Sequence, residues 1–269
     1  MWERAGPAEH RPNVTLPTVD DTTSEGSETV PLSIGTVSAS GTISDNDGTP
    51  SLTINDRSVN EGAGSVTFTV TLSNPSSSPV SVSYASANGT ATAGSDYSAV
   101  NGTLTFAPGE TSKTLTVALL NDTVFEGSET FQINLSAPVN ATLGDPQGLG
   151  TLKDDGTGDG GTDNDTPTIR TISSPTAAEG SPLVYSVTLS NASTTPTSFP
   201  YTLGGGSANS NDYTPPSFSD GVTLLNGVLT VPAGVSGFTV TLPTVDDTTS
   251  EGSETVPLSI GTVSAFQFR

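Results

Sequence analysis

The block VTLPTVDDTTSEGSETVPLSIGTVSA occurs twice, at residues 14–39 and 240–265. A looser version, VALLNDTVFEGSETFQINLSAP, lies between them at 117–138. A catalytic site is normally built once, whereas a stacking module is built as often as the chain needs length. The repeat therefore predicts an array of like units, each carrying its own copy of one acidic sequence.

The units are β in pattern. In Val66, Phe68, Val70 and Leu72 every second residue is apolar and Thr fills the gaps. That spacing puts one face on a core and the other in water. The pattern returns in Val80, Val82 and Tyr84, in Leu104 and Phe106, in Leu115, Val117 and Leu119, in Phe131, Ile133 and Leu135, and over residues 148–153. Turn sequences such as NPSSSP, APGE and LGDPQG separate the runs. About seven strands in about 100 residues predict an all-β chain of tandem immunoglobulin-like antiparallel Greek-key β-sandwiches. The hydrophobic share, 32%, suits thin sandwiches with much surface.

The boundaries follow from the repeat. Residues 1–12 read as a disordered tail, and 13–49 hold only the closing strands of a unit. A complete unit covers 50–156. Residues 157–166 (GTGDGGTDND begins one residue earlier) read as a flexible linker, and a unit over 167–269 lacks its last strand. The first segment cannot complete the third unit within one molecule: the path from Asp47 to Pro50 spans about 10 Å, while the intervening sandwich is roughly 35 Å long. Residues 1–44 are therefore expected to be loosely held or paired weakly on an exposed edge, with head-to-tail strand donation between molecules as the lesser alternative.

The acids carry the functional signal. There are 28 Asp and Glu against 7 Lys and Arg, a net charge of -21. Such a chain repels nucleic acid and anionic membrane and attracts cations. Seventeen acids recur in matched positions: Asp20, Asp21, Glu25, Glu28, Asp45 and Asp47; then Glu61, Asp122, Glu126, Glu129, Asp154 and Asp155; then Glu179, Asp246, Asp247, Glu251 and Glu254. The other eleven nearly balance the bases, so the excess charge belongs to three groups. In the middle unit the six come from three places that a Greek key can bring to one end. One carboxylate pair at ~5 Å and an effective dielectric of ~20 already costs about 3 kcal/mol before screening. Cations among them relieve that cost. Ca²⁺ takes six to eight hard oxygens in irregular geometry, whereas Zn²⁺ prefers His or Cys. This chain has one His and no Cys. The competing reading, acidic loops that are merely solvated, fits a single DD far better than three matched sets.

The sequences VNEGAGSVTFTVTLS, VSYASANGTATAGSDY, NGTLTFAPGETSKTLTVALLND and FEGSETFQINLSAPVNATLG closely resemble the Calx-beta domain. The resemblance covers the middle unit, most of the third and the closing part of the first. It implies an immunoglobulin-like sandwich with Ca²⁺ at one end, near the next domain. It puts metal ligands on Glu61, Asp122, Glu126, Glu129, Asp154 and Asp155, with the carbonyl of Val124 as an extra, and on Glu179, Asp246, Asp247, Glu251 and Glu254. Asn88, Asn121 and Gly156 stand where the family often has Asp, which implies fewer or weaker ions. The third unit is expected to hold a partial site, because the Gly204 to Gly206 turn has no acid and the final Asp pair is missing.

Other motifs carry less. DGTGDG opens like an EF-hand loop, but its twelfth position is Thr166 and no helices flank it. It reads as linker, lending Asp163 or Asp165 to the third unit. SDY at 95–97 and NDY at 211–213 read as turns with a packed Tyr rather than as ligands. The only His, His10, lies in the tail, so a Ser–His–Asp arrangement is not expected and neither is an enzyme. The functional expectation is a Ca²⁺-stiffened structural segment of a large extracellular, bacterial adhesin-like protein. Its partners would be calcium ions, neighbouring repeats and a surface ligand, with no nucleic acid and no membrane insertion. The alternatives are a regulatory Ca²⁺ sensor and an accessory module of a secreted hydrolase.

Overall fold

A computed structural model of the chain describes residues 14–248 and 252–265. The tail expected over 1–12, the expected ligand Glu251 and residues 266–269 lie outside the described residues. The first segment forms a hairpin of β1 (Glu28–Ile34) and β2 (Val37–Ile43). Its two-residue turn is made by Gly35, at φ +63°, and Thr36. A positive φ there suits glycine, and such turns match the twist of paired strands.

The middle unit has nine strands: β3 (Ser51–Ile54), β4 (Arg57–Asn60), β5 (Ser65–Leu72), β6 (Val80–Asn88), β7 (Asn101–Phe106), β8 (Ser112–Ala118), β9 (Glu129–Val139), β10 (Thr142–Asp145) and β11 (Gln147–Lys153). They form two sheets, β10-β3-β5-β8 and β4-β11-β9-β6-β7. This is the immunoglobulin-like sandwich the alternation predicts, with Val66, Phe68, Val70 and Leu72 all buried along β5. Two more strands appear than the pattern suggests. One arises because the opening strand changes sheets at Asn55 and Asp56. There Asn55 Oδ1 accepts from Thr69 N–H (2.7 Å) and Asp56 Oδ1 from Leu149 N–H (2.7 Å). The two side chains satisfy ladder groups that the crossing would leave open. The core centres on Phe131, which stacks on Tyr97 (4.4 Å) and meets Phe68 edge-on (5.9 Å). Gly150 lies directly over the Phe131 ring, and a Cβ there would come within 2.4 Å of Cε1.

The third unit repeats the plan with β12 (Ile169–Ile172), β13 (Leu183–Leu189), β14 (Thr197–Leu203), β15 (Ser217–Phe218), β16 (Thr223–Leu225), β17 (Val228–Val231), β18 (Gly237–Leu242), β19 (Leu258–Ile260) and β20 (Val263–Ala265). Its sheets are β12-β13-β18-β15 and β16-β17-β14-β19-β20, around a core of its own. Here the identical block meets two environments. Val240, Leu242, Leu258 and Ile260 are fully buried, whereas their counterparts Val14, Leu16, Leu32 and Ile34 are 41–65% exposed. The sequence is the same. What differs is the sheet available to cover it.

Successive segments meet in one recurring way. Ser24 N–H donates to Pro75 O (2.9 Å) and Ser77 N–H to Ser24 O (3.0 Å). Phe125 N–H donates to Ala192 O (3.0 Å) and Thr194 N–H to Phe125 O (2.9 Å). Ser24 and Phe125 both precede the Glu-Gly of the repeat, and each pairs in parallel with the Ser of an Asn-x-Ser turn, Ser76 or Ser193. The Gly-rich stretch expected to be a flexible linker is pinned instead. Asp159 N–H donates to Ser58 O, Asn60 N–H donates to Asp159 O, and Arg57 pairs with the Asp159 carboxylate. Its glycines permit this approach: Gly158, at φ +87°, sits 2.9 Å from Val59 backbone when given a Cβ.

Candidate metal centre

The acids of the middle unit converge at one end of the sandwich. Glu61 begins the single turn Glu61–Ala63, capped by Asn60 Oδ1 on Gly62 N–H (3.0 Å), and is 6% exposed. Asp122 is held in its loop by Val124 N–H, which donates to Oδ1 (2.7 Å). Glu126 follows in the same loop, and its N–H donates to Asp154 Oδ2 (2.9 Å). Glu129 opens β9, and Asp154, 3% exposed, follows β11.

Asp96 joins them. Its carboxylate lies with those of Glu126 and Glu129 such that one oxygen from each falls within 4.8 Å of the others. Two oxygens on opposite sides of a Ca²⁺ at about 2.4 Å would be about that far apart. Asp96 is 5% exposed, and Thr92 N–H and hydroxyl donate to its Oδ2 (2.5 and 3.3 Å). Sequence reasoning read this Asp only as part of a turn with a packed Tyr. The turn and the packing are there: Tyr97 is 1% exposed and its hydroxyl donates to Asn88 Oδ1 (2.7 Å). The signal that pointed to Asp96 was its recurrence before a Tyr, as Asp212 before Tyr213. Replacing Tyr97 with Phe removes that hydrogen bond and the hydroxyl's interaction with Ser86, while Ala93 N–H still donates to Asn88. It is expected to cost about 0.5–1.5 kcal/mol in a urea melt.

The electrostatics are those of acids without a base. Burial, then Asp154, Glu126, Asp122 and Asp96, push Glu61 up to about 8. Burial, then Asp96, Glu129 and Asp122, push Glu126 up to about 7. Burial and Asp96 raise Glu129. Burial raises Asp154 to about 6, with Asp165 and Asp163 adding to it and N–H donors opposing it. No cation figures among these causes. Asp163 and Asp165 thus bear on the middle unit, and Asn121 Nδ2 donates to Asp163 (2.7 Å). Asp155 faces elsewhere: Thr157 N–H donates to it (2.9 Å), and its pKa is lowered by Thr157 first.

The other two groups keep parts of this frame. In the first segment Glu25 N–H donates to Asp45 Oδ2 (2.9 Å), as Glu126 does to Asp154, and Thr23 N–H donates to Asp21 Oδ1 (2.8 Å). In the third unit Glu179, Asp246, Asp247 and Glu254 line an open groove, with Asp212 beside them.

Residues 44–153 match the Calx-beta domain family. Sodium/calcium exchanger 2 of Homo sapiens is 41% identical over 90 residues, which are 33% of this chain and 9% of the exchanger. The chain therefore spans less than a tenth of that relative's length. Among solved structures, the apo-form Calx CBD1 domain shares 28% identity over 40% of this chain and 99% of its own, with a TM-score of 0.39. The calcium binding domain CBD12 of CALX1.1 shares 20% identity over 79% of this chain and 81% of its own, also at 0.39.

Proposed function

We propose that the chain is a calcium-binding structural segment in which Ca²⁺ replaces the missing counter-charge of each acidic end. Asp96, Glu126 and Glu129 each bring one carboxylate oxygen within 4.8 Å of the others, with no base among the causes that raise Glu126 and Glu129, and this observation carries the reading. Asp96, Glu126 and Glu129 would hold an ion, with Glu61, Asp122 and Asp154 available around it. The Val124 carbonyl is a further candidate, whereas Asp155 is turned to Thr157 and away from this group. Hard, flexible oxygen donors without nitrogen or sulfur suit Ca²⁺. The ion supplies positive charge that lets buried carboxylates stay ionised together.

The three segments, 13–49, 50–156 and 167–269 with 157–166 between, are then successive repeats of a non-catalytic array. Phe125 stands between Asp122 and Glu126 and also bridges to Ser193, so an ion that orders this loop stiffens the junction as well. That suits a spacer in a large extracellular, adhesin-like protein. The exchanger relatives favour a second reading, a regulatory calcium sensor.

Calorimetric titration of the calcium-free chain separates the two readings. A spacer is expected to bind at about 10⁻⁴–10⁻³ M and a sensor at about 10⁻⁷–10⁻⁵ M. Glu126→Gln with Glu129→Gln should abolish the middle-unit binding. Unchanged heat in that variant would move the ion elsewhere, and no heat in the wild type would end the calcium reading.

A further inference from the structure

The two junctions of this chain are built on one short sequence. Residues 73–77 read SNPSS and residues 190–194 read SNAST, each directly after a strand, β5 or β13. Their hydrogen bonds correspond one for one. Ser73 Oγ accepts from Ser51 N–H and Ser190 Oγ from Thr168 N–H (3.0 Å each), which ties each turn to the opening of its own unit. Asn74 Nδ2 donates to Gly48 O and Asn191 Nδ2 to Asp165 O, so the amide holds the chain arriving from the preceding segment. Ser76 Oγ accepts from Ser78 N–H and Ser193 Oγ from Thr195 N–H (3.1 Å each). Gly109 and Gly234 N–H donate to the two serine carbonyls (3.0 and 2.8 Å), and both serines are buried. The side chains shape the turn.

What enters the turn is main chain. Ser24 or Phe125 N–H donates to the carbonyl of Pro75 or Ala192. The Ser24 or Phe125 carbonyl accepts both the N–H and the hydroxyl of Ser77 or Thr194, the hydroxyls at 3.3 and 3.4 Å. The entering side chain is small and polar in one junction and large and aromatic in the other, yet the bonds are the same. The next residue is held from its own side: Glu25 N–H donates to Asp45 and Glu126 N–H to Asp154. Main-chain hydrogen bonds of this kind bind without reading side chains.

We propose that Ser-Asn-x-Ser-Ser/Thr is a docking socket for the main chain of any Glu-Gly loop of this repeat, so that units join in any order with one relative orientation. The partner it fits is a residue of any side chain followed by Glu-Gly, in a loop closed by an Asp of its own unit. The crossing bonds use main chain and hydroxyls, so the socket holds whether or not the acids bind calcium. It rests only on the segments being successive repeats.

Pulsed EPR distance measurement on the full chain tests this. The chain has no Cys, so Thr103→Cys and Ser186→Cys, both at exposed positions, put one spin label on each sandwich. It is run in millimolar CaCl₂ and in chelator, and variants are compared within each buffer, so failure of the calcium reading leaves the comparison intact. The labelled chain is expected to give one narrow distance peak, and Phe125→Ser should leave it in place. Asn191→Ala should spread the peak by freeing the arriving chain, and Thr194→Pro by removing the N–H that crosses. Both should keep the third unit's melting transition in calorimetry. A broad distribution for the labelled chain in both buffers overturns the proposal. So does spreading by Phe125→Ser, which would make the aromatic ring the joint, or a narrow peak in both socket variants. Spreading that comes only with loss of the third unit's transition also overturns it, since the turn would then serve that fold rather than the junction.

Discussion

Replacing Phe131 with alanine is expected to destabilise the middle unit by about 3–5 kcal/mol, the range for an aromatic truncated in a close-packed core. The ring is fully buried and makes both aromatic contacts of that core, to Tyr97 and to Phe68. Gly150 on β11 has no side chain with which to fill the space, so the cavity cannot close cheaply. Against the ~5–15 kcal/mol of a typical domain, the loss is large. It should also reach the acidic end. Tyr97 loses its stacking partner while Asp96 is its chain neighbour, and Glu129 lies two residues before Phe131 on the same strand. The third unit is the internal control. There Val256 stands in place of Phe131, and Tyr185, in place of Phe68, donates to the Val256 carbonyl. Scanning calorimetry of the variant should show one transition moved down and another unmoved. If both move together, the two cores do not melt separately. If neither moves, the ring is not the centre of the core.

How much of this was legible follows from what local pattern encodes. Alternation identified the buried face of β5 and β9 because strand period is a local property. It did not reveal that the opening strand changes sheets at Asn55 and Asp56, since that depends on Leu149 and Thr69 far along the chain. It also could not show that the block at residues 14–39 stays exposed while its copy is buried, because identical sequences differ only in their neighbours. The acid group was partly readable. Recurrence marked Glu61, Asp122, Glu126, Glu129 and Asp154, which share one end of the sandwich. It passed over Asp96, whose place there depends on Leu120 N–H donating to its carbonyl (3.0 Å). It also treated Asp154 and Asp155 as a pair, although neighbours near a strand end point opposite ways and Asp155 turns to Thr157. Composition predicted a flexible stretch at 157–166. The same glycines that loosen a free chain let this one lie against Val59 and Asn60.

Removing calcium is expected to hurt the chain most at high pH. In the calcium-free protein Glu61, Glu126 and Asp154 have folded pKa values of about 8, about 7 and about 6, each above its ordinary value. Between the ordinary and raised values the folded state binds more protons than the unfolded state. Stability must therefore fall as pH rises through this window. The calcium-free Tm should drop steadily from pH 5 to pH 8. Calcium reverses the dependence, because the ion competes with those same protons and binds better as they leave. At a hundredfold excess over its Kd one ion contributes about 2.7 kcal/mol. That corresponds to a rise of about 10–20 °C for a domain of this size. The rise should be largest at pH 8 and small at pH 5. Glu61→Gln, which removes the most strongly shifted acid, should raise the calcium-free Tm at pH 8 and flatten its slope. A calcium-free Tm that is level from pH 5 to 8 would show that these acids are not crowded in the folded state. A calcium response equal at both pH values would mean the ion binds somewhere other than among them.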